Sequence, residues 1–85
     1  MKRIAFLPAA FDDFGQWATD NKRVHARIVK LIKDIKRDPF VGLGKPEPLK
    51  HDLAGLWSRR ITNEHRLVYK VTEEEIIIVS CRFYY

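Results

Sequence analysis

At 85 residues the chain allows one hydrophobic core, hence a single domain over 1–85, and excludes a second. Hydrophobic residues at 46% and aromatics at 12% exclude a disordered chain, and a single cysteine, Cys81, excludes an internal disulfide. The net charge of +5 points to a polyanionic partner, nucleic acid first, with ordinary surface charge as the plain alternative.

The N-terminal stretch MKRIAFLPAAFDDF has two cations but no long apolar run, because Asp12 and Asp13 interrupt it. This predicts no signal peptide and no membrane span, and a reducing cytoplasm as the compartment. Arg3 to Leu7 reads as a first strand. Pro8 suits the first turn of a helix, and Phe11, Phe14, Trp17 and Ala18 follow at helical spacing, predicting a helix over 8–19. Thr19, Asp20 and Asn21 are capping residues and mark a break. Val24, Ile28, Leu31, Ile32 and Ile35 then form one apolar stripe of a second helix, with Arg23, Arg27, Lys30 and Arg37 largely off it. Pro39 stops that helix. Its basic face reads first as a solvated surface.

Pro39 to Leu53 is a Gly- and Pro-rich loop whose apolar residues can pin it to the core, and loops of this length are often functional. Three strands follow. WSRRI (57–61) and HRLVYKV (65–71) alternate, whereas EIIIVSC (75–81) is a continuous apolar run, expected for a strand covered on both faces. A strand, two helices and a run of strands define an α+β fold, with the helices packed against a mainly antiparallel sheet. Cys81 lies in the apolar run and reads as a small core residue.

Binary pattern fixes one register. Trp57 and Ile61 share the core face with Leu67, Tyr69 and Val71 only if an odd number of residues joins the strands, for example Thr62, Asn63 and Glu64. Arg60 and Arg66 then become cross-strand neighbours on the open face, together with Ser58 and Lys70. Like charges opposite each other cost stability. Either an anion satisfies the pair, or each arginine splays to solvent or pairs with Glu47, Glu64 or Glu73; pattern alone leaves both readings open.

GKPEPLKH (44–51) holds Glu47 between two prolines, with Lys45, Lys50 and His51 close by. Each proline fixes its own φ and biases the preceding residue towards extended backbone. The stretch is a rigid loop with incidental charge, or it aims a base. His51 could touch phosphate or simply cap the loop. His65 falls on the core face and reads as a packed or hydrogen-bonded structural residue, and His25 as a surface residue. One cysteine and three scattered histidines lack zinc-ligand spacing, so no metal and no cofactor are expected. GLGKPEP lacks the pattern of a phosphate-binding P-loop, and no spacing supports a covalent nucleophile. Tyr84 and Tyr85 read as core and edge filler, as stacking groups for bases or as proton donors.

RDPFVGLGKPEPLKHDLAGLWSRRITNEHRLVY (37–69) and the closing CRFYY (81–85) together resemble the YoeB/Txe toxins of the RelE superfamily, over nearly the whole chain. The resemblance implies a RelE-like microbial ribonuclease fold and the toxin of a type II toxin–antitoxin pair, acting as a metal-independent endoribonuclease on mRNA in the ribosomal A site. It implies a YefM/Axe-like cognate antitoxin, the 70S ribosome and mRNA as partners, operator DNA only through the antitoxin complex, a homodimer, and no membrane. Position by position, Glu47 matches the family's general base and Arg66 its phosphate-stabilising arginine. Lys50 and Arg60 match residues contacting the scissile region, and Tyr85 matches the terminal supporting tyrosine. Lys45 and His51 lie beside them as candidate phosphate contacts. Tyr84 departs from the family's histidine at the general-acid position. The reading from another class is a catalytically weakened or non-cleaving basic module that binds RNA or the ribosome.

Overall fold

In the computed structural model residues 2–83 are described. The elements run β1 (Arg3–Phe6), α1 (Pro8–Asp20), α2 (Lys22–Arg37), β2 (Glu47–Pro48), a 3-10 turn (His51–Leu53), β3 (Leu56–Arg60), β4 (Arg66–Val71) and β5 (Glu75–Ser80). One five-stranded sheet has the order β1-β5-β4-β3-β2. β1 lies parallel to β5, and every other neighbouring pair is antiparallel. The α+β class predicted from the chain is the class observed.

Pro8 opens α1, where its missing N–H costs nothing. Asn21 separates the helices: its extended backbone ends α1, and its side chain accepts from the N–H groups of Arg23 and Val24 to cap α2. The apolar stripe of α2 buries Val24, Ile28, Leu31, Ile32 and Ile35 against Trp17, Leu67, Tyr69, Ile76 and Ile78. Each such side chain contributes about 1.5–3 kcal/mol on burial. Lys36 and Arg37 sit in the last turn of α2, where cations complement the helix dipole.

Leu56–Arg60 pairs with Arg66–Lys70 in the expected register, with Trp57 opposite Tyr69 and Arg60 opposite Arg66. The connection 61–65 is odd in length, as the hydrophobic pattern requires. The β5 run is covered unevenly: Ile76 and Ile78 are buried on the core face, while Ile77 and Val79 are half-buried on the other. Cys81 is fully buried, and burial raises its thiol pKa to about 11.

Two expectations are corrected. The segment 39–53 is not all loop, because Glu47–Pro48 adds a two-residue strand to the sheet edge, antiparallel to β3. The face carrying Arg60 and Arg66 is not open along its length either, because Ser58 and Val68, paired across β3 and β4, are both buried while Lys70 is exposed. Among the described residues no helix is long and apolar enough to cross a membrane.

Candidate active site

Glu47 lies on β2, Ser58 and Arg60 on β3, and Arg66 on β4, all on the sheet face away from the helices. Glu47 pairs with Ser58 and Arg60 with Arg66. β3 therefore runs between the carboxylate and the Arg66 guanidinium, whose strands are two spacings of about 4.8 Å apart. The side chains nevertheless meet, with Arg66 Nη1 donating to Glu47 Oε1 at 3.4 Å. They do so beside Ser58, which is fully buried. A small side chain at that point leaves room for the two long ones to close over β3.

The loop that delivers Glu47 is pinned on both sides. Before it, the Gly44 carbonyl accepts from the Arg60 N–H at 2.6 Å. Gly44 has φ +78°, and a Cβ there would stand 3.0 Å from the Arg60 carbonyl oxygen, so the close approach requires glycine. After it, the Leu49 N–H donates to the Leu56 carbonyl at 2.9 Å. Glu47, Pro48, Leu49, Lys50, His51 and Leu53 line a cleft of about 290 Å³. Lys50 and His51 are exposed in that cleft, and Lys45 is exposed on the loop before it.

A third set of contacts brings the C-terminal segment to the same place. Trp17 Nε1 donates to the Cys81 carbonyl at 3.0 Å. The Arg82 guanidinium stacks 4.3 Å from the Trp17 ring and reaches Asp20 at 3.4 Å. Phe83 is held at both backbone groups: its N–H donates to His65 Nδ1 at 2.7 Å, and its carbonyl accepts from the Arg66 N–H at 3.0 Å. His65 packs edge-on against Trp17, the structural role expected for it. Tyr84 and Tyr85, the other candidate site residues, lie outside the described residues.

Among the described residues three non-glycines have left-handed backbone: Lys45 (φ 54°), His51 (φ 58°) and Phe83 (φ 62°). All three border this site. Such conformations cost on the order of 1–3 kcal/mol each and persist where the surroundings over-determine them.

Arg59 is the residue that sequence reasoning missed. It points to the core face and is fully buried, donating to Asp34, to the carbonyls of Asp38 and Leu43 and to the Tyr69 hydroxyl. Tyr69 in turn donates to the Pro39 carbonyl at 2.6 Å. This hub fastens the start of the Glu47 loop to α2 and the sheet. Hydrogen bonds from the Leu43 N–H and then Arg59 hold the Asp34 carboxyl down at about 2. The available signal was an arginine at an odd, core-facing position between Trp57 and Ile61.

A sequence model for YoeB-like toxins of bacterial type II toxin–antitoxin systems matches residues 6–85. The chain belongs to that family. It is 55% identical over 83 residues to Toxin YoeB of Escherichia coli K12, covering 98% of this chain and 99% of the relative. The fold superposes on a YoeB/ParE toxin from Agrobacterium tumefaciens with a TM-score of 0.94 at 46% identity, covering 98% of this chain and 99% of that one. A Staphylococcus aureus YoeB is similar both as a dimer (TM-score 0.91, 44% identity, 99% and 98% covered) and in a YoeB–YefM complex (TM-score 0.90, 44% identity, 100% and 99% covered). The family is thus the one that the GKPEPLK, WSRRI and EHRLVY blocks resemble. Among the described residues no group of three His, Cys, Asp or Glu side chains could hold a metal ion.

Proposed function

We propose that this type II toxin is an endoribonuclease that cuts mRNA in the ribosomal A site and so stops translation. The observation that carries the reading is the Glu47–Arg66 pair at 3.4 Å, with Arg60 directly opposite Arg66. A carboxylate and two guanidiniums on one sheet face fit a phosphodiester and the hydroxyl beside it.

The RNA supplies its own nucleophile, the 2′-hydroxyl that DNA lacks. A substrate phosphate takes Glu47's place as the anion on Arg66, which frees the carboxylate to accept the 2′-hydroxyl proton. Attack on the adjacent phosphorus gives a 2′,3′-cyclic phosphate and releases the 5′-oxygen. Arg66 and Arg60, with Lys50, stabilise the charge growing on the phosphate oxygens. Lys45 and His51 contact neighbouring phosphates. Tyr84 protonates the leaving oxygen, and Tyr85 supports the site. Tyrosine is a much weaker acid than imidazolium, so restoring the family's histidine by Tyr84→His raises cleavage. A fall in cleavage at unchanged stability would instead make Tyr84 the adapted acid.

The relatives' assemblies support a YefM-like antitoxin and a homodimer as partners here; binding of operator DNA through the antitoxin complex is part of the same proposal. Action on the 70S ribosome places the toxin in the cytoplasm. The deciding experiment is cleavage of mRNA on reconstituted ribosomes with mapping of the new 5′ ends. Cuts within the A-site codon are expected for the wild type and, in Glu47→Gln, a loss of about 10²–10⁴-fold. Ribosome binding without cuts in either protein would leave a binding module.

A further inference from the structure

We propose that His65 is a positioning residue for the reaction. Its unprotonated Nδ1 fastens the C-terminal segment beside Arg66 and so sets where the residues after Phe83 begin. The inference rests on the nuclease reading above, but the contact itself belongs to the free protein.

Three observations converge on it. The Phe83 N–H lies 2.7 Å from His65 Nδ1, a short bond for two nitrogens. Phe83 has φ 62°, a costly conformation for a bulky residue, so something must hold it. The imidazole is itself fixed, edge-on to Trp17 at 4.8 Å and 5.3 Å from the Phe83 ring.

The geometry also says why a histidine is used. Accepting at Nδ1 puts the ring proton on Nε2. A protonated ring would present a donor to the Phe83 N–H, and the bond would be lost. The adjacent residue in the chain is Arg66, whose own N–H binds the Phe83 carbonyl. One dipeptide, His65–Arg66, thus grips both backbone groups of Phe83 while Arg66 also meets Glu47. Any displacement of Phe83 shifts the point from which the chain continues, and Phe83 is itself bonded to Arg66, the residue proposed to face the phosphate.

The test separates the acceptor from the bulk of the ring. Asparagine places its carbonyl oxygen near the position of Nδ1, whereas glutamine places it nearer Nε2. On reconstituted ribosomes His65→Gln is expected to lower the turnover rate about tenfold or more through misplacement of catalytic groups, with ribosome affinity changed less than about twofold. His65→Asn is expected to stay within about threefold of the wild type. In the isotope-labelled wild-type protein a scalar coupling between the Phe83 amide nitrogen and His65 Nδ1 is expected across the hydrogen bond. Equal activity of folded Asn and Gln variants overturns the proposal, and so does absence of the coupling, which is decisive even if both variants unfold. Failure of the wild type to cleave would instead overturn the nuclease reading, while the coupling still decides whether His65 anchors the tail.

Discussion

Arg59 and Arg66 each meet a carboxylate, and the two pairs differ in almost every other respect. Arg59 is fully buried against Asp34, itself 13% exposed, at 2.6 Å, and it makes further bonds to backbone carbonyls and to Tyr69. Arg66, its side chain 12% exposed, meets Glu47 at 3.4 Å, with the Glu47 side chain 52% exposed. The first pair is closed: all its geometry is spent on joining α2, the 38–43 segment and β3. The second is long and reachable from solvent, so an incoming anion can displace one partner. The same residue types on opposite faces of adjoining strands thus serve as a rivet and as an exchangeable contact.

Removing Asp34 breaks this comparison most strongly. Asp34→Ala leaves the Arg59 charge buried without its carboxylate, a change that typically costs about 3–5 kcal/mol. Chemical denaturation is expected to show a loss of that size, together with increased protease sensitivity between Asp38 and Leu43. A loss below about 1 kcal/mol would mean that the backbone carbonyls alone satisfy Arg59.

The acid limb of stability follows next. The folded-state value of Asp34 is lowered from 3.8 to about 2. Its contribution is therefore complete above the unfolded value and is lost as pH falls through the folded one, between about pH 4 and pH 2, an effect on the order of 2 kcal/mol. Wild-type denaturation midpoints should fall more steeply across that window than those of Asp34→Asn. Parallel curves would place the acid sensitivity in other carboxylates.

Gly42 tests the same hub from the loop side. It has φ +136°, and a Cβ there would collide with the Asp34 carboxylate. That carboxylate cannot easily swing away, because Arg59 and the Leu43 N–H both hold it. Gly42→Ala should cost about 1–3 kcal/mol. A neutral result would show that the 41–43 segment shifts freely.

The comparison also explains what could be read from the chain. The stripe of α2 and the Arg60–Arg66 register were legible because each follows from a local period, 3.6 or 2, and from an odd connection between two alternating strands. That Glu47 sits in a stiff segment was legible because two prolines flank it. Its strand was not: two residues give no alternation, and Pro48 has no N–H to suggest a ladder. Arg59 broke the apolar set of its own strand, which flags a buried charge, but its partner lies 25 residues away on α2, a separation no local pattern encodes. Ser58 was misjudged for a similar reason. A serine on an alternating strand reads as solvent-facing, and what buries it here comes from elsewhere in the fold.

Glu47→Gln should have the smallest effect on stability, and that smallness sharpens the contrast. A half-exposed ion pair is worth about 0–1 kcal/mol, since solvent screens it and both side chains lose freedom to form it. Gln keeps the length and a carbonyl acceptor for the Arg66 guanidinium, so the melting temperature should barely move while the charge is gone. A large destabilisation would make Glu47–Arg66 a second rivet, and a substrate phosphate could then not displace the carboxylate cheaply. A small one leaves the contact exchangeable, as the proposed roles of Glu47 and Arg66 require.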